Sequence, residues 1–193
     1  MNIGILNIQG DVQEHFDMIK SLKRKYNVSP VKVNSVNDLE NIDGLIIPGG
    51  ESTVIYKFLI KNNLYDKIKS MALNNDLAVM GTCAGAIILS KDTGDDRVTG
   101  MGLLDITIKR NAYGRQVDSF IKEVQINGMG AFNAVFIRAP EIEVPGNVNI
   151  LSELNNRAVF VTDKNLDIMA LTFHPELTGD PRIHEYFISK IKK

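Results

Sequence analysis

Glycines at positions 81 and 85 stand two residues either side of Cys83, the only cysteine, in the stretch Val79-Met80-Gly81-Thr82-Cys83-Ala84-Gly85-Ala86-Ile87-Ile88-Leu89. An apolar strand, a G-x-C-x-G turn and an apolar helix form the spacing of a nucleophile elbow, in which the backbone turns tightly at a strained residue and lifts its side chain clear of the chain. The sulfur would then lie over the N-terminus of the helix, a setting in which cysteines are reactive. A small buried cysteine beside a strand fits the same letters. Other residues have to separate the two.

A cysteine nucleophile needs a base, and the chain holds three histidines, His15, His174 and His184. His174 closes the apolar run Ile168-Met169-Ala170-Leu171-Thr172-Phe173, and Glu176 follows two residues on across Pro175. A histidine at a strand end is where an α/β site carries a general base, and a nearby carboxylate can hold its ring in one tautomer. His-Pro-Glu is also an ordinary turn sequence. His15 on a charged helix and His184 in the last helix read as surface or packing residues. The loop Pro48-Gly49-Gly50-Glu51-Ser52-Thr53 offers the remaining function: its glycines let backbone N–H groups approach a developing oxyanion or an anionic substrate end, with Ala84 N–H as the second donor. A plain glycine turn, with Ser52 or Thr53 capping the next helix, is compatible with the same residues.

The elements that must position these residues alternate. Residues 2–8 read as a buried strand, 12–26 as an amphipathic helix through Val12, Phe16, Ile19 and Leu22, 30–33 and 44–48 as strands, 52–59 and 65–73 as helices, and 77–80 as the strand into the elbow. Strand and helix in alternation predict a parallel sheet with helices on both faces, whose reactive groups gather at the strands' carboxyl ends. After Lys91 the runs 103–109, 119–126, 134–137, 148–151, 158–161 and 168–173 have β character, giving a half richer in antiparallel or mixed strands. A closing helix is predicted from Pro181 to Lys192. No linker divides the chain, so residues 1–193 read as one domain.

Composition narrows the function classes. The 193 residues carry 22 Lys and Arg against 23 Asp and Glu, a formal net charge of −1 without blocks of either sign, so the totals hold no basic field for nucleic acid. A chain of this size buries roughly 70% of its unfolded surface without disulfide or metal. The start Met1-Asn2-Ile3-Gly4-Ile5-Leu6 lacks a signal peptide's basic head and long apolar run, and no apolar run approaches the ~20 residues that span a bilayer, so the expected compartment is the cytoplasm. Absence of G-x-G-x-x-G and of G-x-x-x-x-G-K-[ST] argues against a dinucleotide or a Walker-type phosphate site, and no residue cluster has zinc spacing.

Taken in order, Pro48 to Thr53, Gly81 to Gly85 and His174-Pro175-Glu176 resemble the class I (triad) glutamine amidotransferases. Leu6-Asn7-Ile8-Gln9-Gly10 with Glu14-His15, Arg110-Asn111-Ala112-Tyr113-Gly114-Arg115-Gln116 and Phe136-Ile137-Arg138-Ala139-Pro140 narrow the resemblance to the glutaminase subunits of pyridoxal 5′-phosphate synthases. The motifs run from residue 6 to 176, nearly the whole chain. The resemblance implies a three-layer α/β sandwich of the flavodoxin-like kind, a mixed, mostly parallel sheet flanked by helices. It implies that Cys83 attacks the side-chain amide of L-glutamine, His174 shuttles the proton and Glu176 orients His174. Gly50, Glu51, Ser52, Arg110, Ile137 and Arg138 would hold the glutamine, and Gly49, Gly50 and Ala84 the oxyanion, with no metal and no cofactor. Ammonia would pass to a (β/α)8-barrel synthase subunit in a hetero-oligomeric complex, which would also set the Gly49-Gly50 loop, with Gln9, Gly10, Glu14 and His15 near the contact. Two rival readings remain at this level: a glutaminase serving another synthase, and a non-catalytic α/β binding subunit with a structural cysteine. A cysteine hydrolase on the same elbow would place histidine directly after the cysteine, where this chain has Ala84.

Overall fold

The computed structural model describes residues 1–109 and 119–191. In chain order its elements are β1 (Asn2–Leu6), α1 (Val12–Ser21), the single turn α2 (Lys23–Tyr26), β2 (Ser29–Val33), β3 (Gly44–Ile47), α3 (Ser52–Lys61), α4 (Leu64–Leu73), β4 (Ala78–Thr82) and α5 (Ala84–Leu89). Then follow β5 (Ser90–Asp92), β6 (Leu104–Lys109), β7 (Ser119–Ile126), β8 (Gly130–Ile137), β9 (Glu141–Glu143), β10 (Asn149–Leu154), β11 (Arg157–Thr162), β12 (Ile168–Leu171) and α6 (Arg182–Lys190).

The main sheet runs β2-β1-β3-β4-β12-β11-β9-β6-β5, with β10 paired to β11. From β2 to β12 all neighbours are parallel, and from β12 to β6 they are antiparallel. Side chains alternate across the parallel strands, as the pleat requires. Leu45, Ile47 and Val79 join a core with α3, α4 and α5 on one face, while Ile46, Met80, Ile3 and Ile5 join a second core with α1, α6 and the β7–β8 hairpin on the other. Both faces are therefore covered, and β3, β4 and β12 are buried throughout and apolar but for Thr82 at the end of β4.

The predicted alternation and the mixed second half both stand, with adjusted ends. The helix expected over 12–26 breaks at Leu22 into α1 and α2, and α2 ends at Asn27 in the left-handed conformation. The closing helix stops at Lys190. The short strands β5 and β9, three residues each, carry too little pattern to be read from sequence. Four adjacent parallel strands, β1, β3, β4 and β12, end on the same edge, and the chain leaving them carries Asp11, Gly49, Cys83 and His174.

Candidate active site

Cys83 sits between β4 and α5 with φ 48° and ψ −103°, a conformation that costs a non-glycine residue about 1–3 kcal/mol. The surrounding structure holds it there. Its N–H donates to Leu171 O on β12 at 2.8 Å, and its carbonyl accepts from Ala86 N–H at 3.1 Å. Both flanking glycines are required by close approach: a Cβ on Gly81 would lie 2.5 Å from the Gly85 carbonyl carbon, and one on Gly85 would lie 2.0 Å from Ile47 O. The sulfur is half-buried, 3.9 Å from Ile137 O.

His174 leaves the carboxyl end of β12, its N–H donating to Val135 O at 2.8 Å on β8. Nδ1 faces two carboxylates, Glu176 Oε1 at 2.8 Å and Asp11 Oδ2 at 3.0 Å. Nε2 is buried and has no hydrogen-bond partner among the described residues. Burial works against the imidazolium, and the interactions with Asp11, Cys83 and Glu176 that favour the cation outweigh it, so the His174 pKa is held far above the ordinary histidine value. The Glu176 carboxyl is pushed up by burial, against the hydrogen bond and charge of His174, which favour its ionised form. Asp11 is held below the usual carboxylate range, chiefly by its hydrogen bond to His174. The ligand-type atoms of Asp11, His174 and Glu176 all lie within 4.8 Å of one another. The proton on Nδ1, facing both carboxylates, accounts for that closeness.

A cleft of about 540 Å³ opens on this edge and is lined by both Cys83 and His174. Of the residues expected from sequence to hold a substrate, Gly50, Glu51, Ser52, Ile137 and Arg138 line it, as does Ala84. Arg110, with its motif, lies outside the described residues. Gly49 is packed behind the lining, where a Cβ would come within 2.5 Å of His174 Cε1. The capping role considered for Ser52 or Thr53 is not found: Glu51 occupies the cap position of α3 without a side-chain capping bond, and Thr53 Oγ1 donates to Glu51 Oε1 at 3.2 Å. Ser52 Oγ, at the cleft wall, is buried without a partner among the described residues.

Of the two readings open for His15 and His184, packing is the one the structure bears out: each is 0% exposed and paired to the other. The expected place of His15 near a partner contact needs correction, since the buried ring offers a partner no surface, although Glu14 beside it is exposed. Spacing carried that signal, since His15 falls three residues after Val12 and four before Ile19 on the buried stripe of α1. Asp11 is a second carboxylate at the site that no sequence pattern marks. It precedes α1 as a helix-capping aspartate would, but makes no capping bond, because its carboxylate is turned to His174.

A nucleophile elbow facing a carboxylate-backed histidine across parallel strand ends has the layout of a triad amidotransferase. The chain belongs to the SNO glutamine amidotransferase family, which it matches over residues 5–193. It is 55% identical to the pyridoxal 5′-phosphate synthase subunit PdxT of Picrophilus torridus, over 99% of this chain and 98% of that one. The protein of the same name from Methanocaldococcus jannaschii is 46% identical over 100% of both chains. A solved crystal structure of a glutamine amidotransferase, 38% identical, superimposes with a TM-score of 0.91 over 98% of each chain. Similarity of fold extends to the PurLQS structure from Thermotoga maritima, TM-score 0.73 at 14% identity.

Proposed function

We propose that this chain is the glutaminase of a pyridoxal 5′-phosphate synthase, hydrolysing L-glutamine to L-glutamate and ammonia through a thioester on Cys83. The observation that supports it most is the strained Cys83 in one cleft with a histidine whose Nδ1 is gripped by carboxylates. His174, held cationic, acts first as an acid. The Cys83 sulfur, its own proton already on His174, bonds to the amide carbon of glutamine, the C–N bond breaks, and the His174 proton leaves on the nitrogen as ammonia departs. Neutral His174 then takes a proton from water as the water oxygen displaces sulfur, giving glutamate. Glu176 and Asp11 stabilise the cation at both ends of the cycle. Gly49, Gly50 and Ala84 are assigned to the oxyanion, and Gly50, Glu51, Ser52, Arg110, Ile137 and Arg138 to the amino-acid end and side chain of glutamine, where an arginine can grip a carboxylate.

The names of the relatives favour a synthase subunit as partner, and we assign to it the (β/α)8-barrel that uses the ammonia, with the whole chain, residues 1–193, acting as one domain in the cytoplasm and no cofactor of its own. Ammonia is mostly ammonium in neutral water, so docking is what makes its transfer productive. Gln9 and Gly10 line the cleft and Glu14 is exposed on α1, and all three are assigned to the docking side, from which the Gly49-Gly50 loop would be set. Gly50, at φ 142°, supplies the backbone freedom for that adjustment. Among the described residues no helix is long and apolar enough to cross a membrane.

A chloroketone analogue of glutamine tests the reading. It should alkylate Cys83 in the complex with the synthase subunit, with glutamine protecting. Labelling no faster than that of a model thiol, unaffected by glutamine, would return Cys83 to a structural role.

A further inference from the structure

Beside Glu176, outside the cleft lining, two histidines share a hydrogen bond inside the core. His15 Nδ1 lies 2.9 Å from His184 Nε2, and His15 Nε2 lies 3.2 Å from Thr82 Oγ1 and 3.4 Å from Glu176 Oε2. Glu176 Oε2 and His184 Nδ1 are buried and have no hydrogen-bond partner among the described residues. Burial pushes both histidines to the neutral form, His184 down to about 3. Each ring therefore carries one proton, and the pair has two possible polarities.

If His15 carried its proton on Nδ1 and gave it to His184 Nε2, His184 would hold its own proton on Nδ1, where a buried N–H finds no acceptor. His15 Nε2 would then turn a lone pair toward the Glu176 carboxylate. The opposite polarity removes both faults: His184 Nε2–H donates to His15 Nδ1, and His15 Nε2–H points at Thr82 Oγ1 and Glu176 Oε2. An unprotonated, unpartnered Nδ1 on His184 is the cheaper orphan, because a buried N–H without an acceptor forfeits a full hydrogen bond to water.

We propose that His15 is a positioning residue: as a neutral Nε2–H donor, its tautomer fixed by His184, it holds the second oxygen of Glu176 so that the first stays on His174. The proposal rests on the reading of Glu176 as the carboxylate that orients His174. It joins α1, α6 and the elbow strand β4 to the back of the site, and it compensates an ionised carboxylate that is 0% exposed. The titratable groups facing Glu176 are His174, Asp11 and His15, and those facing His15 are His184, His174 and Glu176.

The test uses the chain in complex with the synthase subunit. For His15→Leu, kcat for glutamine hydrolysis should fall about tenfold at neutral pH with KM within about twofold, and the acidic limb of the pH profile should move up by about one unit, because Glu176 loses a donor that favours its ionised form. His15→Gln, whose amide N–H reaches the place of Nε2, should recover most of that shift. A loss of activity with the limb unmoved, or a His15→Gln variant no better than His15→Leu, would overturn the proposal. Imidazole-nitrogen NMR of the unsubstituted chain reads the tautomers without turnover and without a variant that has to fold. Neutral Nε2–H on both His15 and His184 from about pH 5 to about pH 8 supports the arm, and an Nδ1–H tautomer or an imidazolium at His15 refutes it. Absence of glutamate from the unsubstituted complex would instead mark a failure of the glutaminase reading, separable because the NMR result stands by itself.

Discussion

His174 and the His15–His184 pair flank the same carboxylate and reach opposite charge states. All three imidazoles are more than nine-tenths buried, so desolvation presses each toward neutrality. His174 escapes because Asp11 and Glu176 converge on its Nδ1 at 3.0 and 2.8 Å. His15 meets one carboxylate oxygen, farther off at 3.4 Å with its N–H shared with Thr82 Oγ1, and a neutral histidine on its other side. Burial alone therefore does not set the charge of a histidine; the number and approach of its anionic partners decide. In the proposed reaction the cation sits where a leaving nitrogen needs a proton, and the neutral rings sit where a fixed donor is wanted.

The contrast is most exposed to substitution at His174. His174→Asn should lower glutamate release by about a thousandfold, since both the acid and the base are removed, with KM for glutamine little changed in steady-state assays. A variant within about tenfold of the parent would move the proton transfer to another group. Asp11→Asn asks less. Without the second carboxylate the His174 pKa falls, so the high-pH limb, where the cation is lost, should move to lower pH and activity above neutrality should drop about three- to tenfold, while activity near neutrality persists. An unmoved limb would mean that Glu176 alone holds the proton.

The smallest effect falls on the neutral pair and concerns stability. Their folded pKa values lie below the unfolded value of about 6.5, so the unfolded chain binds more protons in acid. Their contribution is complete above that pH and is lost as pH falls toward the folded values, by up to about 1.4 kcal/mol per pH unit for each histidine. Urea titrations of His184→Leu should show a shallower loss of stability between about pH 6 and about pH 4 than the parent. Parallel curves would mean that His184 is not neutral in the fold.

Much of this arrangement is legible in the sequence. The elbow, the glycine loop and the strand-ending His174 are local patterns, fixed by tight turns and a two-residue reach from His174 to Glu176, and local patterns survive in a sequence. The alternation of strands and helices gave the parallel half of the sheet for the same reason. Asp11 was hidden because an aspartate before a helix has a ready local explanation, and only the adjacency of β1, β3, β4 and β12 brings it to a residue 163 positions later. His15 and His184 were hidden in the same way, 169 residues apart in sequence and 2.9 Å apart in the core. Contacts made by topology leave no spacing to read.

Glutamate released from L-glutamine, measured for the chain alone, for the chain with the synthase subunit, and for Cys83→Ala with that subunit, bears on the whole account at once. Release that rises when the synthase is added and falls to background in Cys83→Ala is the predicted result. Folded protein that releases no glutamate with the synthase present, or release that persists in Cys83→Ala, would contradict it.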